Sequence, residues 1–178
     1  MNRVREVAKI AAFMAVLIGI FFFTRGNRVV HAQSISYSDG ELISQFRRVE
    51  VASVSDALEQ ITGKRMYMTH RMQPIFTAKF AGFARTVELK KDEGNKDPEA
   101  LTGMLQAIDQ GSTDAVYVMV VEDGDDIAGM GGLMGTAMAA RGYSGAIIDG
   151  GVRDVAYLRK IGFPVFAKIG RASCRERV

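Results

Sequence analysis

Residues 142–166 read Gly142-Tyr143-Ser144-Gly145-Ala146-Ile147-Ile148-Asp149-Gly150-Gly151-Val152-Arg153-Asp154-Val155-Ala156-Tyr157-Leu158-Arg159-Lys160-Ile161-Gly162-Phe163-Pro164-Val165-Phe166. Gly145–Ile148 is an apolar run too short for a helix and bounded by glycine, which predicts a buried strand. Asp154–Lys160 predicts a short helix, and Pro164–Ala167 a second strand. Upstream, Ala115–Val121 is continuously apolar and predicts a buried strand, followed by a helix over Gly131–Arg141. Strand–helix–strand–helix–strand with short links implies parallel strands joined by crossovers. The expected fold is a single α/β domain with a largely parallel central sheet.

Working outward, Thr77–Leu89 alternates and predicts a strand with a bulge or bend at Gly82. Lys90–Asp97 is a charged loop. Pro98 takes a first-turn position in a helix whose apolar stripe is Leu101, Met104, Leu105 and Ile108. Glu41–Arg48 has helical spacing through Leu42, Ile43 and Phe46. Ser53 is the expected N-cap of a further helix with Val54, Ala57, Leu58 and Ile61 on one face, stopped by Gly63. Residues 33–40 are polar and predict a linker, so the domain spans 41–170.

The 178 residues carry 23 Lys and Arg against 20 Asp and Glu, a formal charge of +3. The excess sits at the ends: residues 33–170 hold 15 basic and 18 acidic side chains, a body charge of −3. A nucleic-acid binder would cluster its basic residues on the folded body, so that class is set aside. Arg3, Arg5 and Lys9 precede an uncharged apolar run, Ile10–Phe23, and Val30-His31-Ala32 offers a small-residue cleavage pattern. Residues 1–32 therefore predict a signal peptide and an exported protein, periplasmic or secreted. An uncleaved anchor over residues 10–24 is the alternative, since Arg25 and Arg28 follow the run. The single Cys174 allows no intrachain disulfide. It lies in residues 171–178, which lack apolar periodicity and are expected to be a non-native or frameshifted tail on a domain truncated at its C-terminus.

Ligands of parallel sheets bind beyond the carboxyl ends of the strands, and two segments reach that edge. Gly129-Met130-Gly131-Gly132-Leu133-Met134 leads into a helix, where backbone N–H groups favour a carboxylate or phosphate; glycines there equally serve plain turn geometry. Asp149-Gly150-Gly151-Val152-Arg153-Asp154 follows a strand. Arg153 suits a substrate carboxylate or an enolate, and Asp154 suits Mg²⁺. The competing reading has Asp154 capping the next helix and Arg153 in a surface ion pair.

Gly131–Met134, Ala140-Arg141-Gly142, Gly145–Asp154 and Gly162–Phe166 together resemble the signature of the RraA-like family, with the likeness running from Val54 to Lys168. The resemblance implies a layered α/β swivelling domain assembled as a homotrimer or hexamer. It implies a lyase, either a 4-hydroxy-4-methyl-2-oxoglutarate aldolase or an oxaloacetate decarboxylase, that releases pyruvate from small 2-oxo acids with Mg²⁺ or Mn²⁺. Carried onto this chain, the backbone of Gly131, Gly132, Leu133 and Met134 would hold the substrate carboxylate. Arg153 would bind the 2-oxo oxygen and stabilise the enolate as the catalytic residue, and Asp154 would hold the metal largely through water. The family's aldolases carry an acid, then twenty residues, then the Arg-Asp pair. Here that position is Gly132, and Asp123, Asp125 and Asp126 are the nearest carboxylates. Other members inhibit a ribonuclease by protein contact, so a non-catalytic regulator is the alternative function. His70, among Met66, Met68, Arg71 and Met72, is expected as a loop or partly buried histidine and not a metal ligand, and Met130, Met134 and Met138 as core or loop filler and not a copper site.

Overall fold

The computed structural model describes residues 36–76, 78–90, 99–122 and 127–170. The proposed signal segment, Pro98, Asp123, Asp125, Asp126 and the 171–178 tail lie outside these residues. Among the described residues no helix is long and apolar enough to cross a membrane.

Helix α1 (Asp39–Arg48) starts inside the expected linker. Ser38 accepts from the Glu41 N–H while the Glu41 carboxylate accepts from the Ser38 N–H at 2.9 Å, a reciprocal capping box that the linker assignment overlooked. Helix α2 (Val51–Thr62) begins two residues before Ser53, which is thus inside the first turn and not its cap. The extended backbone of Val49 and Glu50 turns the chain there, leaving no room for two more non-helical residues. Gly63 stops α2 as expected, at φ 67 with its N–H on the Glu59 carbonyl. The apolar side of α2 is only partly covered: Val54 and Leu58 are half-buried and Ile61 is 81% exposed.

The sheet runs β1 (Gln73–Pro74), β6 (Val165–Gly170), β5 (Gly145–Val152), β3 (Val116–Val121), β2 (Ala84–Leu89). A short β4 (Ala128–Met130), absent from the sequence expectations, also pairs with β5. Every pairing is parallel except β1 with β6, as the crossover pattern required. Helices α3 (Ala100–Asp109), α4 (Gly132–Ala140) and α5 (Val155–Lys160) link the parallel strands. Strand β2 is shorter than the expected Thr77–Leu89, because at Gly82 the chain passes so close to the Asp114 carbonyl that even a Cβ would collide with it. Conversely, β5 runs on past Ile148 to Val152, so Asp149, Gly150 and Gly151 belong to the strand.

One face of the sheet is packed. Tyr117, Met119, Ile148, Met130, Met138, Leu158 and Val165 are each at most 1% exposed and form one cluster. Each such apolar side chain contributes about 1.5–3 kcal/mol by leaving water. Met134 and Met138 of α4 are in this core, as expected. Ala115–Val121 is mostly buried, as expected, but the opposite face of the sheet is only partly covered. Val120 is 46% exposed, and a cleft of about 230 Å³ is lined there by Met68, Met72, Val118, Val120, Ile147 and the Asp149–Lys168 ion pair.

Candidate functional site

The register of β4 and β5 assembles the rim. β3 pairs with β5 only as far as Asp149. β4 takes over beyond it, pairing Ala128 with Gly151 and Met130 with Val152 across a bulge. The Arg153 N–H donates to the Met130 carbonyl at 3.0 Å. The chain therefore leaves β5 as Arg153-Asp154 alongside the point where β4 becomes Gly131 and α4. Residues 22 apart in sequence, such as Gly132 and Asp154, are brought side by side by one strand pairing.

Two glycines make this contact possible. A Cβ on Gly131 would stand 2.7 Å from Asp154 Oδ2 and 2.9 Å from Arg153 Cγ and Nε. A Cβ on Gly132 would stand 3.0 Å from Tyr157 Cδ1 and 3.4 Å from Asp154 Oδ2. Gly131 itself has extended backbone at φ −151, so close approach, not conformational freedom, is what excludes a side chain here. The plain-turn reading of these glycines does not explain that packing.

Asp154 occupies the N-cap position of α5 but makes no side-chain cap bond to it. Its Oδ2 instead accepts the Gly132 N–H at 2.8 Å, capping the first turn of α4 across the rim. Its backbone is held at φ 58, one of two positive values among the described non-glycine residues. Such conformations are uncommon and gather at functional positions. The reading in which Asp154 caps its own helix is thereby excluded. Arg153 Nε lies 3.7 Å from Asp154 Oδ2, with side chains 64% and 48% exposed. A pair so open to water adds little to stability, and the guanidinium projects from the rim beside the α4 N-terminus.

The Leu133 and Met134 N–H groups belong to the first turn of α4 and have no intrahelical acceptor. The positive end of the helix dipole adds to them. Of the residues expected to bind substrate, Gly131, Gly132 and Arg153 are together, with Asp154, the expected metal residue, beside them. The Leu133 side chain is 65% exposed and that of Met134 is 5% exposed, in the core, so both offer the site backbone alone. Sequence reading missed Tyr157 and Thr136. Tyr157 lies one turn beyond Asp154 on α5, a spacing that could have revealed it.

Among the described residues no group of three or more His, Cys, Asp or Glu could hold a metal ion. The donor set is a single carboxylate, with one oxygen on an amide and the side chain 48% exposed. That fits a Mg²⁺-like ion, which usually keeps several waters and takes one or two carboxylates plus substrate oxygens. His70 is exposed in a turn, as expected.

The model of the RraA-like family (aldolase/RraA) matches residues 51–175. A protein of Halalkalibacterium halodurans, provisionally named 4-hydroxy-4-methyl-2-oxoglutarate aldolase, is 26% identical over 136 residues, 75% of this chain and 59% of its own length. A crystal structure described as a novel cellulase from gut-associated microbes superposes with a TM-score of 0.67 at 25% identity, covering 80% of this chain and 64% of the other. An unusual Streptomyces coelicolor member of the RraA family of RNase ES inhibitors superposes at 0.62 with 22% identity, covering 75% and 65%. The chain thus spans about three-fifths of the length of the first relatives it matches.

Proposed function

Because the chain belongs to the RraA-like family, we propose that the Arg153–Asp154 rim is the active site of a divalent-metal-dependent lyase that releases pyruvate from small 2-oxo acids. The observation that carries this reading is the clamp itself: Asp154, at positive φ, on the first amide of α4, with Arg153 beside it. Carbon–carbon cleavage next to a ketone needs an electron sink. The Leu133 and Met134 amides would hold the substrate carboxylate at the positive end of α4. Arg153 would donate to the 2-oxo oxygen and favour the enolate as negative charge develops on it. The Asp154 carboxylate would hold Mg²⁺ or Mn²⁺, largely through water. When bound, the cation supplies Lewis-acid polarisation of the 2-oxo group.

We extend the proposal to a homotrimer or hexamer exported through residues 1–32, tested by light scattering and by fractionation of a tagged chain. Purified protein is assayed for pyruvate release from 4-hydroxy-2-oxo acids and oxaloacetate with and without Mg²⁺. A rate dependent on both metal and Arg153 is expected. One observation favours a second reading: at Gly132 the rim lacks the carboxylate found in the family's aldolases. In that reading the fold binds a partner or small carboxylate without turnover, and the assay reads zero for every substrate.

A further inference from the structure

Tyr157 stands where the absent side chain would be. Its ring edge lies over Gly132, with Cδ1 3.0 Å and Cε1 3.5 Å from the position a Cβ would take. Its hydroxyl is 3.0 Å from Thr136 Oγ1. Thr136 has a single hydroxyl proton, and it donates that proton to the Gly132 carbonyl at 2.8 Å. The Tyr157 hydroxyl must then be the donor to Thr136, which ties the ring along the first turn of α4. The residue is nevertheless 42% exposed. Tied at its hydroxyl yet partly open to water, the ring has the form of a wall more than of a core residue.

We infer that Tyr157 is a positioning residue of this site: its ring closes the space above Gly132, keeps the Asp154 carboxylate on the α4 amide, and forms a wall against a bound small carboxylate. The inference rests on the reading of this rim as a carboxylate site. It also means that Gly132 and Tyr157 act as one unit. A side chain cannot be introduced at 132 without moving the ring, so a single Gly132→Asp substitution would not rebuild an aldolase-like acid.

The probe is oxalate, a planar two-carbon dicarboxylate resembling the enolate of pyruvate, titrated with Mg²⁺ present and followed by calorimetry and tyrosine difference absorption. The chain has no Trp and 5 Tyr, so a tyrosine signal is readable. Oxalate is expected to give a tyrosine difference spectrum that survives Tyr67→Phe and vanishes in Tyr157→Phe. Tyr157→Phe, which keeps the ring, should hold oxalate within about twofold of the parent, and Tyr157→Ala should weaken it at least fivefold. Gly132→Ala should lower the melting temperature of the parent and lower it less in the Tyr157→Ala background, a coupling that needs no ligand. Oxalate binding without a tyrosine signal, or equal Gly132→Ala effects in both backgrounds, would overturn the assignment of Tyr157. Intact coupling with no oxalate binding would instead remove the carboxylate site, and the wall with it.

Discussion

A carbon atom at position 131 would meet Asp154 and Arg153 at under 3 Å, so Gly131→Ala forces the rim apart. Overpacking of this kind costs about 1–3 kcal/mol, which urea denaturation should show as a lower midpoint at unchanged slope. Arg153 is different in kind, being mostly exposed and contributing little to folding. Arg153→Ala should unfold like the parent yet lose about 100-fold or more in pyruvate release, the scale of a lost oxyanion donor. Arg153→Lys should stay low too, since an ammonium cannot reproduce the guanidinium fork. The Arg-Asp and Gly-Gly pairs were legible in the sequence because their residue types are unusual at strand and helix ends. The Asp154–Gly132 bond was not, because the strand that aligns them, β4, is only three residues long. No periodicity can be read from so short a segment.

At the level of elements, the capping box of α1 predicts that Ser38→Ala costs about 1 kcal/mol, measurable by thermal denaturation. The buried start of β3 makes a second prediction. Tyr117 is 0% exposed and its hydroxyl has no partner among the described residues. Burial first, and then the neighbouring Tyr143, push its pKa up to about 12. The folded pKa lies above the unfolded value near 10, so the native state holds this proton more tightly. The contribution to stability is complete below about pH 10 and disappears as pH rises towards about 12. Tyr117→Phe removes an unsatisfied group and should be neutral or stabilising by up to about 1 kcal/mol. It should also remove this component of the alkaline loss, readable by circular dichroism across that pH range. The parallel order of strands and helices followed from apolar run lengths alone. The early boundaries did not: α1 and α2 begin where backbone direction and a reciprocal cap decide, and a polar composition at residues 33–40 looks the same in a linker and in a capped first turn.

For the molecule as a whole, the −3 body charge and the rim together decide which ligands fit. A cation bound only by the native state should raise the melting temperature as its concentration rises. Mg²⁺ or Mn²⁺ should do so in the parent and much less in Asp154→Ala, which scanning calorimetry can compare. The half-covered sheet face could not be foreseen from Ala115–Val121, because an uninterrupted apolar run looks the same whether one face or both are covered. The central claim, that Arg153 and Asp154 work on 2-oxo acids, is tested most directly by pyruvate release from a 4-hydroxy-2-oxo acid and from oxaloacetate. The assay is run with and without Mg²⁺ beside Arg153→Ala, which subtracts decarboxylation by free metal. The account predicts metal-dependent release in the parent about 100-fold above the variant. Equal release in parent and variant for every substrate would contradict it and leave a binding protein built on a lyase fold.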